Sequence, residues 1–280
     1  FISNINYTNI FCSIIFWKKN NIKLIGIERT PFKELEIYFN LIDFFKKNVL
    51  KFLIYICYRR FDAIVCNSKY ISDHLKKKYN YNSITIHPPS IINLKKLNSK
   101  IKNFKKGTLK IITVCRLSRE KRLSDLLFAL AVIKKENFIL SIIGDGPEKK
   151  KLIQLVKKLN LDAKVRFFGH NQNVFINLKK SNLYINSSFF EGFPNSVVEA
   201  ACLGIPIISS QSHGGINEIL SNGKFGTIYS NGYLGLSTKI KKFINHPKNF
   251  IQKAKLAKKN AIRFSLKNHT KNFENLLKKI

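Results

Sequence analysis

The sequence is most informative where it is poor. No methionine occurs among its 280 residues, at position 1 or elsewhere, and the expectation is a chain that begins inside a longer reading frame or at a non-standard start. Acidic residues are scarce: 16 Asp and Glu stand against 50 Lys and Arg, a net charge of +34. That balance predicts attraction to anions, whether nucleic acid, an anionic membrane face or a phosphorylated ligand, and is silent on fold. Arginine is scarce too, at eight of the 50 cations. A reader of nucleic-acid sequence would favour Arg for its bidentate fork, so the Lys excess speaks for compositional bias and against specific nucleic-acid recognition. The five cysteines, Cys12, Cys57, Cys66, Cys115 and Cys202, are widely scattered. No pair has metal-ligand or redox spacing, which predicts reduced, mostly buried thiols in a cytosolic protein.

Long apolar runs are also missing. The opening FISNINYTNIFCSIIFW is uncharged over 17 residues but is interrupted by Asn4, Asn6, Asn9, Ser3 and Ser13. It falls short of the roughly 20 apolar residues a membrane span needs and lacks the basic start of a signal peptide. It reads instead as a strand and helix of a soluble domain. The segment IYFNLIDFFKKNVLKFLIYICYRRF mixes aromatic and aliphatic residues with Lys46, Lys47, Lys51, Arg59 and Arg60. Its pattern fits a core helix with a solvated face, or a helix lying on a membrane surface.

What is present is enough for a substantial core. Hydrophobic residues make up 45% and aromatics 12%, which excludes wholesale disorder. Short β-branched runs alternate with longer amphipathic stretches. IKLIGIE, FDAIVCNS and NSITIHPP read as strands, residues 34–60 and SKYISDHLKKKY as helices. The polar, basic INLKKLNSKIKNFKKG has no apolar period and reads as a linker. Alternation then restarts with TLKIITVCR, NFILSIIGDG, AKVRFFG, SNLYINSS, IPIISS and GTIYS as strands. Strands alternating with crossover helices imply parallel sheets covered on both faces. The expectation is α/β, two Rossmann-like parallel-sheet domains facing a cleft: an incomplete one over 1–92, a linker over 93–106, a second domain over 107–262, and a helix over 263–280 packing back on the first. The first is short of strands, since a complete half would need about five or six.

In open α/β sheets, ligands lie beyond the carboxyl ends of the strands, and four loops of the second series stand out there. In CRLSREKRLSDLLFAL, Arg116 and Lys121 are two cations suited to a diphosphate, though in so basic a chain two charges in one loop are also expected by chance. In GDGP, Gly144 and Gly146 would let backbone approach a ligand, or form a tight strand–helix turn. In SSFFEGFPNSVVEAACLG, Glu191 and Glu199 flank Gly192, Phe193, Pro194, Asn195 and Ser196. The start of the helix there offers unpaired N–H groups to a phosphate, and one carboxylate on either side could meet a sugar and a ribose. In QSHGGINEIL, Gly214, Gly215 and Glu218 form either a helix cap or a wall of a sugar pocket.

The segments CRLSREK, IIGDGPEKKKL, VRFFGH, EGFPNSVVEAACLGIPIISS and GGINEIL, in this order, resemble retaining glycosyltransferases of family 4, which have a GT-B fold. The resemblance covers essentially the whole chain. It implies a C-terminal nucleotide-sugar-binding domain, with GIERTPF and FDAIVCNSKYISDHLKKKY similar to the later part of an acceptor-binding domain. By resemblance, Arg116 and Lys121 would neutralise the donor diphosphate, and Glu191 would act with them in catalysis by positioning the sugar. Glu199 would hold the ribose hydroxyls, and backbone at Phe193, Asn195 and Ser196 would meet the distal phosphate. The resemblance implies no metal and no cofactor besides a UDP-sugar donor, with a GDP-sugar as the alternative. Consistently, the chain has no Asp-x-Asp pair and its six histidines are scattered. Three departures stand out. Arg122 follows Lys121 where many members have Gly, Glu28–Arg29 occupies the place of a frequent His, and the early glycine-rich acceptor loop is missing.

The resulting expectation is a retaining, metal-independent hexosyltransferase acting on a lipid-linked or polysaccharide acceptor in cell-envelope glycan synthesis. It would work in the cytoplasm, peripherally at the inner face of the membrane, where Lys clusters meet anionic lipid. The alternatives are a truncated, inactive remnant that still binds nucleotide sugar, a sugar-nucleotide epimerase on the same architecture, or a general nucleic-acid binder.

Overall fold

The structure, a computed structural model, describes residues 1–18, 21–38, 40–91, 101, 104, 107–170 and 174–280. The linker expected over 93–106 therefore lies outside the described residues apart from 101 and 104.

The N-terminal lobe is built from β1 (Ile2–Asn4), α1 (Asn6–Ile15), β2 (Ile25–Glu28), α2 (Leu41–Cys57), β3 (Ala63–Cys66), α3 (Lys69–Tyr79) and β4 (Ser83–Thr85). Its strands form one sheet in chain order, every pair parallel. All four residues of β3 are buried, as a parallel strand covered on both faces requires. The expected helix over 34–60 is broken. A short 3-10 turn covers Phe32–Glu36, and α2 starts only after Asn40, whose extended backbone lets its side chain accept from Asp43 N–H at 2.7 Å. That side-chain cap fixes a new helix start where the apolar pattern alone runs on unbroken. Helix α3 is bounded by Ser68, which caps Ile71 N–H, and by Asn80 in the left-handed region.

The C-terminal lobe contains β5 (Leu109–Val114), α4 (Leu123–Val132), β6 (Phe138–Ile143), α5 (Lys149–Lys158), β7 (Val165–Phe167), α6 (Val174–Lys180), β8 (Leu183–Asn186), β9 (Phe190–Glu191), α7 (Asn195–Leu203), β10 (Ile207–Ser210), β11 (His213–Gly214), α8 (Ile216–Ile219) and β12 (Thr227–Tyr229). Three helices follow: α9 (Gly232–Asn245), α10 (Pro247–Asn260) and α11 (Leu266–Leu277). The main sheet has the order β12-β10-β8-β5-β6-β7, all parallel. Period-2 alternation divides its core: Ile111 packs with Leu126, Leu130 and Phe243 on one face, and Ile112 with Val197, Val198 and Ile216 on the other.

This order places the first two-way divergence of the chain between β5 and β8. Successive strands run outward from β5 through β6 to β7, then jump back to β8 and run outward the other way. The loops leaving β5 and β8 thus diverge and open a crevice between them. Helix α11 returns to the N-terminal lobe, where Leu276 and Phe273 pack with Ile25, Ala63, Val65 and Ile86.

Candidate functional site

The crevice brings together Lys121, Glu191 and Ser196 of the residues expected from sequence. The loop after β5 makes a 3-10 turn over Arg119–Lys121 and returns Lys121 toward the loop after β8. Lys121 Nζ lies 2.9 Å from Glu191 Oε1, and their side chains are only 16% and 12% exposed. Ser188 Oγ donates to the same carboxylate oxygen at 2.6 Å, and Ser187 Oγ donates to Lys121 O at 2.7 Å. The two loops are therefore tied by both backbone and side chain. Arg116 leaves the end of β5 exposed to solvent.

Below them lies Tyr184 of β8, whose hydroxyl donates to Ser196 Oγ at 2.8 Å. Burial drives this phenol far above its ordinary range; the Ser196 hydrogen bond opposes the shift, and the charges of Cys115, Glu191 and Glu199 add to it. Burial likewise pushes the Cys115 thiol up to about 12, with Lys121 pulling it down and Glu191 pushing it up. Helix α7 opens beside this point with Pro194 before it and no side-chain cap; Val197 N–H bonds back to the Pro194 carbonyl, so the N–H groups of Asn195 and Ser196 and the positive helix end are what it offers the crevice.

Of the two roles expected for the GDGP glycines, the geometry displays the tight turn. Gly144 has φ +133°, and a Cβ there would stand 1.9 Å from the Cys115 carbonyl oxygen. A Cβ on Gly192 would stand 1.8 Å from the Arg29 carbonyl oxygen of the other lobe. What approaches both is protein backbone: the GDGP turn, Gly146 included, folds against the loop after β5, and Gly192 lets the two lobes touch. The side chains of the FPNS turn are also partly engaged across the lobes. Asn195 Oδ1 accepts from Ser90 Oγ at 2.8 Å, and the buried Phe193 ring lies 5.2 Å from His87 and 5.1 Å from Phe264.

Sequence reasoning missed Tyr184 and Ser188, which hold Ser196 and Glu191. It also missed the two-residue ladder in which β9 pairs with β11, His213 opposite Phe190 and Gly214 opposite Glu191. The run of serines after β8 is the one signal that could have suggested Ser188. Next to the Lys121–Glu191 pair, a cavity of about 320 Å³ opens between the lobes. Glu34, Ile37 and Lys47 line it from the N-terminal side, Arg119, Arg122 and Phe189 from the other. Burial raises the Glu34 carboxyl above its ordinary range; Lys47 and Lys121 pull it back, and Glu120 pushes it up. Among the described residues, no cluster of three or more His, Cys, Asp or Glu is arranged to hold a metal ion.

Two Rossmann-like lobes with a crevice at the strand ends of the second define a GT-B type fold. The crystal structure of Anabaena HepE in complex with UDP superimposes with a TM-score of 0.79 at 18% identity, over 100% of this chain and 79% of that one. The sequence profile of the glycosyl transferases group 1 matches residues 95–264, more than half of the chain, and the protein belongs to that family. Among relatives, it is 33% identical over 226 residues to an uncharacterized glycosyltransferase of Methanocaldococcus jannaschii, covering 75% of this chain and 53% of that protein. It is 28% identical over 193 residues to the N-acetylgalactosamine-N,N'-diacetylbacillosaminyl-diphospho-undecaprenol 4-alpha-N-acetylgalactosaminyltransferase of Campylobacter jejuni, covering 66% of this chain and 51% of that protein. The chain thus spans about half the length of these curated relatives.

Proposed function

We propose that the protein transfers a hexose or N-acetylhexosamine from a nucleoside diphosphate sugar to a lipid-linked or polysaccharide acceptor of the cell envelope, retaining anomeric configuration and without a metal. One observation carries the reading: Lys121, Glu191 and the uncapped start of α7 converge on the crevice between β5 and β8. In this reading Lys121 and Arg116 neutralise the leaving diphosphate, and the first N–H groups of α7, from Asn195 and Ser196, meet its distal phosphate. Lys121 has three donors, so it can keep its bond to Glu191 while it binds a phosphate oxygen. Glu191, fixed by Lys121 and Ser188, positions the sugar, and Glu199 accepts hydrogen bonds from the ribose hydroxyls. The chemistry is charge stabilisation and positioning, with no protein nucleophile. The acceptor enters the interlobe cavity against Phe189. A UDP-sugar is the favoured donor, as HepE binds UDP on the same fold.

The N-terminal lobe supports docking on an anionic bilayer. Phe11, Ile14 and Trp17 on or just after α1 and Phe45 and Phe52 of α2 are exposed beside Lys46 and Arg59. Among the described residues no helix is long and apolar enough to cross a membrane. The deciding experiment is a panel of nucleotide sugars screened for thermal stabilisation, then for transfer. A true donor at a hundred times its Kd adds about 2.7 kcal/mol of stability. A panel with no stabilising member would reject the reading.

A further inference from the structure

Of the two roles expected for the GGINEIL segment, a helix cap or a wall of the pocket, its glutamate forms a cap, on a helix of the other lobe. Glu218, in α8, reaches into the other lobe. Its Oε1 accepts the N–H of Tyr70 at 3.1 Å, and its Oε2 lies 2.7 Å from His87 Nε2. Tyr70 is the second residue of α3, so its N–H has no partner within its own helix. The C-terminal lobe therefore supplies part of the cap of an N-terminal-lobe helix. The far side of the contact is braced as well. His269 Nδ1 lies 2.8 Å from His87 O, and Arg263 Nη2 donates to the Glu218 and Ile219 carbonyls at 2.6 and 3.1 Å.

The same segment holds the donor loop. Just before α8, β11 pairs with β9, which carries Glu191, and Gly215 N–H donates to Gly192 O at 3.1 Å. A path thus runs from α3 and His87 by hydrogen bonds to Glu218, along the backbone of α8 to β11, and by hydrogen bonds to the strand that bears Glu191. We propose that Glu218 is a positioning residue: by capping α3 across the cleft it fixes β11 and, through it, the β9 strand, so that Glu191 takes its working position only when the lobes are closed. The kinetic part of this proposal rests on the transferase reading above; the structural coupling does not.

The test compares Glu218→Ala and Glu218→Gln with the parent protein by residue-resolved hydrogen exchange, nucleotide titration and steady-state kinetics. Loss of a hydrogen bond to a charged group should speed exchange of the Tyr70 amide on the order of ten- to a hundredfold in the Ala variant. The amides of Gly214, Gly215 and Glu191 should follow, while those of the central strands β5 and β8 stay protected. UDP affinity should change less than about twofold, because the nucleotide sits on one lobe, whereas kcat with donor and acceptor should fall roughly tenfold. The Gln variant keeps an oxygen for the Tyr70 N–H and should recover most of both losses. Unchanged exchange at Glu191 in the Ala variant overturns the proposal, and so does a rise that extends evenly through β5 and β8. Should the parent turn over no nucleotide sugar, the transferase reading falls, and exchange at Glu191 still decides the coupling.

Discussion

The two lobes place a glutamate at the same kind of position, just beyond or at the carboxyl end of a parallel strand, and treat it in opposite ways. Glu191 of the C-terminal lobe has a cation at 2.9 Å and stands at the edge of a crevice. Glu28, the last residue of β2, is fully buried, and among the described residues neutral donors reach it: Tyr58 Oη at 2.7 Å and the N–H groups of Arg29 and Thr30 at 3.0 and 3.2 Å. Burial pushes its carboxyl up to about 7, while those hydrogen bonds hold it down. Glu191 is paired with a cation across two loops of one lobe; Glu28 braces the turn whose carbonyl, on Arg29, meets Gly192. A charged residue at a strand end is therefore no sign of a site by itself. The neighbouring cation and the open crevice make the difference.

The largest way to sharpen this contrast is at the cation. Lys121→Ala should lower sugar transfer by roughly 10²- to 10³-fold, the scale for one lost transition-state donor, read from initial rates at saturating donor. The next is at Glu28. Its carboxyl holds a proton more tightly folded than unfolded, so its contribution to stability is complete below about 4.5 and is lost as pH rises through about 7. A shift of that size amounts to about 3 kcal/mol. Urea unfolding from pH 5 to 8 should show the parent losing about that much relative to Glu28→Gln, and parallel profiles would refute the assignment. At the contact between the lobes, Gly192→Ala puts a methyl group into the Arg29 carbonyl. It should cost about 1–3 kcal/mol in the same assay, or part the lobes, visible as a larger radius in X-ray scattering. The smallest effects belong to the membrane face. Neutralising Lys46 or Arg59 with Gln should weaken binding to anionic vesicles about fivefold each at low salt, and leave neutral vesicles unaffected.

The C-terminal lobe was the more legible of the two. Its strands alternate cleanly with helices, α7 is bounded by Pro194 and Gly204, and the loops bearing Arg116, Lys121, Glu191 and Ser196 could be located from strand ends alone. The helix expected over 34–60 was misread because its apolar pattern continues through 37–40, while one Asn side chain redirects the backbone. The β9–β11 ladder spans two residues per strand, too few for any periodicity to register. The Glu218–His87 contact joins residues 131 apart in the chain, and nothing local in either segment announces the other. The glycines were recognised as close-approach positions, but which atoms approach them depends on the tertiary fold.

A diphosphate held between Lys121 and the start of α7, as proposed, would be visible in calorimetric titration of UDP into the parent and Lys121→Ala proteins. UDP binding should weaken by about tenfold or more in the variant, as expected when a charge-assisted hydrogen bond is removed. Equal affinity for UDP in the two proteins would contradict it.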